Sequence, residues 1–431
     1  MSRVTAPSSA PAPATGSDAR LITRPFVIVT LTALFFFVYI GMLLPMVPLL
    51  IEGPLGSNEL GIGLTLAFFA ISSIIARPLI GRAADLYGRR FVITTGALAA
   101  AVAGAASGHV DALWQLLVLR AITGVGEAGV FVGAATLIAD LSPRDRRAEG
   151  ASYFSVAVFG GIGIGPIIGE IVLDDTQFQR AFLVAGAFAL AAALISRFAP
   201  VRVARAGDLA DELPAVDEAA PAARGIDKWV YRGAIMPGLV LAFGIAAFAA
   251  FSSFLPEYAR DIGLGGSGGL FALYSLMSLV VRIVGAKLPE RLGPRRAVSI
   301  ALVNIMIGLA ILALVPAAPA AWVAVLFMGL GIAFNYPSLM ALVVNRASER
   351  DRAKAVSSLT MFFEFGTAAG GLVIGTLALI VGKQYAFLGG VVSAGIGLWV
   401  LRTKVVPAES SDSGPVVLTR TTPDVAPAAG N

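Results

Sequence analysis

The chain has 431 residues, 57% of them hydrophobic and 14% charged, with a formal net charge of +5. Soluble domains carry about 25% charged residues, so these proportions exclude an ordinary water-soluble protein and point to a polytopic membrane protein. One histidine and no cysteine exclude thiolate catalysis, disulfides and an imidazole-rich metal centre, and the positive balance is better explained by loop orientation than by nucleic-acid binding.

Residues 1–24, rich in Ala, Pro, Ser and Thr, lack the apolar core and cleavage pattern of a signal peptide. They read as a disordered cytoplasmic tail. A spanning helix needs roughly 20 apolar residues, and apolar runs of about that length occupy 26–50, 61–80, 91–108, 112–139, 150–173 and 180–199, then 233–255, 267–287, 297–316, 320–344, 355–381 and 384–402. Their continuity disfavours an outer-membrane barrel, whose strands alternate over short segments. The expected fold is therefore an all-α membrane protein with twelve transmembrane helices.

The loops test that count. With the N-terminus inside, the even connections hold Arg82, Arg89 and Arg90, then Arg144, Arg146 and Arg147, then the basic run from Arg202 to Arg232. They continue with Lys287, Arg291, Arg295 and Arg296, and with Arg346, Arg350, Arg352 and Lys354. The odd connections hold only Arg180, Arg260 and Lys383. Cytoplasmic loops collect Lys and Arg, so both termini are expected in the cytoplasm.

The connection 201–232 mixes prolines and alanines with Asp208, Asp211, Glu212, Asp217 and Glu218 and reads as a mobile linker. It divides the chain into six-helix segments at 25–200 and 233–403, followed by a disordered cytoplasmic tail at 404–431. The segments share landmarks: Arg89-Arg90 recurs as Arg295-Arg296 and Arg144-Asp145-Arg146 as Arg350-Asp351-Arg352, both displaced by 206 residues. Pro48 has a counterpart in Pro256, and Gly124-Val125-Gly126 in Gly329-Leu330-Gly331. Two pseudo-symmetric six-helix halves with a site near the midplane between them are thus expected.

The stretch Gly81-Arg82-Ala83-Ala84-Asp85-Leu86-Tyr87-Gly88-Arg89-Arg90 reads as a glycine-bounded basic turn at the cytoplasmic headgroups. From about Arg24 to Lys404 the chain resembles the major facilitator superfamily, and within it the proton-driven efflux permeases. Gly81, Asp85, Gly88, Arg89 and Arg90 occupy every position of that family's first intracellular-loop signature. The second copy keeps Gly293-Pro294-Arg295-Arg296 but has Arg291 at the acidic position. The resemblance implies that Asp85 gates the cytoplasmic side; physically, it could accept from the positive end of the eleventh helix near Ala355, or merely neutralise nearby arginines.

Within the fourth segment Arg120 and Glu127 lie seven residues apart on one helical face, where intramembrane charges pair or line a cavity. The run from Arg120 to Glu127 is similar to the superfamily's fourth-helix motif, which implies proton transfer; a static buried pair is the structural alternative. Gly161, Gly165, Pro166 and Gly169 resemble the antiporter fifth-helix motif, with departures at Ser152 and Glu170, while any glycine-rich segment is also a packing surface. Glu170 reads as a solvated or capping carboxylate. Glu364, flanked by Phe362, Phe363 and Phe365, reads as a coupling acid or as part of a site for a lipophilic cation. Arg282 is expected to snorkel to the cytoplasmic surface, Asn304, Asn335, Tyr336 and Asn345 to line the cavity or bond between helices, and His109 to be exposed.

The resemblance implies a secondary transporter in the cell membrane, a monomer exchanging small organic compounds for protons. Proton symport of a sugar, organic acid or other metabolite is the alternative. No constellation for an intramembrane enzyme, no channel filter and no phosphate-binding Gly-x4-Gly-Lys-Ser/Thr loop appears in the sequence, and no cofactor is called for.

Overall fold

The computed structural model describes residues 21–143, 146–174, 177–200, 231–284, 292–347 and 352–405. Residues 1–20 and 406–431 of the expected tails, almost all of the linker, and the loop residues Arg144, Lys287, Arg291 and Arg350 lie outside the described residues; residues 21–24 of the expected first tail lead into and begin α1.

Among the described residues the chain forms twelve long helices: α1 (Arg24–Glu52), α2 (Glu59–Tyr87), α3 (Arg89–Ala106), α4 (Leu113–Leu141), α5 (Arg147–Leu173), α6 (Phe178–Ser196), α7 (Ile235–Asp261), α8 (Gly268–Val284), α9 (Pro294–Leu314), α10 (Ala318–Val344), α11 (Arg352–Val381) and α12 (Lys383–Thr403). Each expected segment falls on one helix. Eleven are long and apolar enough to cross a membrane, and the shorter α8 is apolar over Gly268–Arg282. Helix is the form these sequences must take, because hydrocarbon offers no partner for an unpaired backbone amide.

Ends are set locally. Thr23 Oγ1 accepts from the Phe26 amide at 3.4 Å at the start of α1, and Asn58 Oδ1 from the Gly61 amide at 3.3 Å at the start of α2. Gln115 Oε1 holds the amides of Asp111 and Ala112 before α4, at 2.8 and 3.3 Å. The α2–α3 corner is the single residue Gly88 at φ 92°, and Gly293 opens α9 at φ 80°, conformations that a side chain would strain.

Here the structure corrects the sequence reading. Gly81 through Tyr87 are not a turn: they are the last two turns of α2, and Gly88 alone makes the bend. Ala and Arg are good helix formers, so the helix runs on past the expected apolar segment. A methyl group built at Gly81 meets nothing within 4 Å, so packing in this conformation does not require glycine there.

Small residues set the seams. Against α1, Gly161 approaches the Leu34 carbonyl at 2.8 Å and Gly165 the Gly41 Cα at 2.6 Å, measured from where a Cβ would stand. Gly96 of α3 meets the Gly126 carbonyl of α4 at 2.7 Å, and Gly331 of α10 meets the Ala301 carbonyl of α9 at 2.7 Å. Gly366 and Gly370 of α11 lie on Ala242 and Ala246 of α7. Since lipid supplies no hydrophobic drive between helices, such close backbone approach is what joins them. Two further seams, α2 with α11 and α5 with α8, join helices from the first six to helices from the last six.

Candidate functional site

Where α2 meets α4 and α11, three charged side chains come together. Arg77 Nη2 donates to Glu364 Oε1 at 2.6 Å and lies 3.5 Å from Glu127 Oε2. Ser73 Oγ, one turn before Arg77, donates to the same Glu127 oxygen at 2.9 Å. All three charges are buried, with side-chain exposures of 12% for Arg77, 7% for Glu127 and 5% for Glu364. The Arg77 guanidinium also stands 5.3 Å from the Phe131 ring centre. At 1.5 Å rise per residue, Arg77 lies about 15 Å from the Tyr87 end of α2 and Glu364 about 18 Å from the Arg352 end of α11.

Arg77 escapes the sequence reading, although a lone arginine inside the apolar 61–80 run is a clear signal. The Arg120–Glu127 pair, the structural alternative for these two charges, is not formed among the described contacts. Seven residues share a face but are separated by about 10.5 Å along the axis, and Glu127 bonds across to α2 instead. Arg120 interacts with Tyr39, whose hydroxyl is 3.3 Å from Thr123 Oγ1, and faces the Phe69 ring at 6.0 Å. Its Nε and Nη2 are buried without a hydrogen-bond partner. It lines a cavity of about 70 Å³ together with Ile40, Thr65, Phe69, Ser252 and Ser253.

The three phenylalanines that flank Glu364 in sequence point in different directions. Successive helical residues point about 100° apart, so Phe362 packs on Gly238 of α7, Phe363 sets its edge against Tyr336, and Phe365 faces outward. Arg282 does not snorkel; its guanidinium carbon lies 3.7 Å from the Phe159 ring centre. Asn335 is buried with both amide atoms unpaired, Asn304 bonds its own helix at Ile300, and Asn345 and His109 are exposed.

The loop-signature residues divide. Arg89 pairs with Asp140 of α4 and Arg90 reaches the Ala199 carbonyl at 3.5 Å, so both tie neighbouring helices together. Asp85 is exposed. At the opposite end of the bundle Glu170 caps α8: it accepts from the Ser267 amide at 2.6 Å, and also from the Ser267 hydroxyl and the Gly268 amide. Gly266 and Gly268 leave room for the carboxylate. Lys383 bridges Glu257 and, at 3.4 Å, Glu52 at the same end. Glu170→Ala is expected to loosen this end, lowering stability by about 1 kcal/mol, the usual worth of a cap, measured as a reduced Tm in detergent.

In chemical terms, two buried carboxylates share one guanidinium. Either carboxylate alone would suffice to pair the guanidinium, so neutralising one leaves no unpaired charge behind. The construction is that of a multi-pass membrane protein with an ionisable centre between packed helices.

The Major Facilitator Superfamily model matches residues 29–350 and 323–425. The chain belongs to that superfamily of membrane transporters. It is 26% identical over 373 residues to multidrug resistance protein 2 of Bacillus subtilis, covering 84% of this chain and 91% of that one. To the class E tetracycline resistance protein of Escherichia coli it is 25% identical over 344 residues, covering 78% and 84%. The fold matches the crystal structure of a bacterial homolog of the human lysosomal transporter Spinster, with TM-score 0.69 and 16% identity over 89% of this chain and 98% of that one.

Proposed function

We propose that the chain exports small organic compounds from the cell in exchange for protons, as a monomer, by rocking two pseudo-symmetric six-helix halves about a midplane site. The single observation that carries this reading is the buried Glu127–Arg77–Glu364 cluster, which links α2 and α4 to α11. A proton taken by Glu364 removes the charge that holds Arg77 across the α2–α11 seam, so proton occupancy and the relation between the halves change together.

The remaining features support the same cycle. Gly63 of α2 stands against Gly371 and Gly375 of α11, and Glu170 and Lys383 make their contacts at that same end. Exposed Asp85 lies at the other end. We read this as a form closed to the outside and open to the cytoplasm. The basic loops favour cytoplasmic termini and a cytoplasmic 201–232 linker in the plasma or inner membrane. Gly161, Gly165 and Gly169 belong to the α1–α5 seam, with Pro166 inside α5 beside them, and the likeness to drug resistance proteins favours export.

Accumulation of ethidium and tetracycline in cells with and without the protein, before and after a proton uncoupler, tests the reading. Antiport export predicts lower accumulation that the uncoupler reverses. Proton symport predicts the opposite response, and accumulation unaffected by the protein would remove the proposal.

A further inference from the structure

The buried charges of the bundle do not balance. Arg77 is matched by Glu364 and Glu127, and both acids are thereby engaged. Arg282 of α8 has no carboxylate among its described contacts: its guanidinium lies 3.7 Å from the Phe159 ring of α5, and its Nε and Nη2 are buried with no hydrogen-bond partner. Its other electrostatic neighbours are the hydroxyls of Tyr274 and Tyr336. Tyr336 in turn also feels Arg77, and its ring lies 6.3 Å from that of Phe363, the chain neighbour of Glu364.

A buried cation without a counter-ion is expensive, and unmade hydrogen bonds add to the expense. A surface-seeking arginine would escape to the headgroups, only a turn away. This one stays, its guanidinium carbon 3.7 Å from the Phe159 ring centre and its Nε and Nη2 unused. A planar guanidinium with Nε and Nη2 both unsatisfied along one edge is shaped for a carboxylate, which takes two parallel N–H donors.

We propose that Arg282 is the counter-ion for an anionic group, a carboxylate, on the transported compound. This rests on the transporter reading and names the substrate class of its site. The anion completes the hydrogen bonds of Arg282 at the contact between α5 and α8, so a bound substrate touches both sets of helices at once. Glu127 and Glu364 stay with Arg77 and the proton, leaving substrate and proton with separate partners.

The test uses the purified full chain and three acids, norfloxacin, nalidixic acid and salicylate, each against its ethyl ester, with binding read by thermal stabilisation across a concentration series. Wild-type protein should bind at least one acid about tenfold or more tightly than its ester, as a charge-assisted hydrogen bond implies. Arg282→Gln should bring that ratio close to one, and Arg282→Lys should keep part of it. If Arg282→Gln does not fold, Phe159→Leu should lower the preference for the acid and leave ester binding unchanged. Equal binding of every acid and ester by the wild type, or an acid preference that survives Arg282→Gln or Phe159→Leu, overturns the proposal. Ethidium export by cells is followed in parallel. Failure of cells carrying the wild type to export both ethidium and every one of the three acids counts against the transport reading, whereas export of any of them with no acid preference in binding counts against Arg282 alone.

Discussion

Glu364→Gln is expected to abolish proton-coupled transport in a protein that still folds. Glutamine keeps the shape and loses the charge, so the 2.6 Å bond from Arg77 becomes a neutral contact and Glu127, at 3.5 Å, becomes the sole counter-ion. The guanidinium remains paired, and stability should fall by about 1–3 kcal/mol, the worth of a hydrogen bond to a charged group. Arg77→Gln is the harsher change. It leaves Glu127 and Glu364 buried together with no cation, and breaking a buried pair from one side costs about 3–5 kcal/mol. The double variant Arg77→Gln/Glu364→Gln should regain part of that loss, since Ser73 still donates to Glu127. Unfolding of the detergent-solubilised protein gives the stabilities, and substrate-induced pH change inside proteoliposomes gives the coupling. Wild-type proton movement by Glu364→Gln would take the cluster out of the transport cycle.

The fold was legible because membrane insertion writes itself in long apolar runs and loop charge. Every one of the twelve expected segments falls on a helix. What could not be read is which charged side chains meet. Arg120 and Glu127 share a face of α4, and helical periodicity says no more than that. The partner of Glu127 lies 50 residues away on α2 and that of Glu364 lies 287 residues away, distances over which no local pattern reports. Glu364 among phenylalanines suggested an aromatic pocket, yet consecutive residues diverge around a helix, and only the tertiary contact showed that Arg77 claims the carboxylate. Arg282 misled for a different reason. Snorkelling is the usual answer to a charge near a helix end, and the ring of Phe159 that holds it is contributed by another helix.

The glycine seams carry the last prediction, because they fall into two kinds that a rocking mechanism must treat differently. Gly165 packs within the first six helices, where the site of a Cβ is 2.6 Å from Gly41 Cα of α1. If α1 and α5 move as one body, that seam never opens, and Gly165→Leu must strain every conformation. Overpacking typically costs about 1–3 kcal/mol, and backbone offers less room to give than a side chain, so Gly165→Leu should lower the Tm and the yield of folded protein. Gly63 packs between the two sets, where the site of a Cβ is 2.9 Å from the Gly371 carbonyl carbon and 3.3 Å from Gly375 Cα of α11. A rocking bundle separates this seam once per cycle, so Gly63→Leu has an unstrained state to adopt. It should fold with nearly normal stability, fail to transport, and rest with the Glu59 end open. The chain has no cysteine, so a cysteine placed at Ser253, which lines the cavity with Arg120, reports that state alone. Labelling by a membrane-impermeant maleimide from outside should rise in Gly63→Leu and stay at background in the otherwise unaltered Ser253→Cys protein held closed at that end. If both leucine variants unfold alike, or if Gly63→Leu transports normally, the α2–α11 seam does not open, and the two sets of helices do not move against each other there.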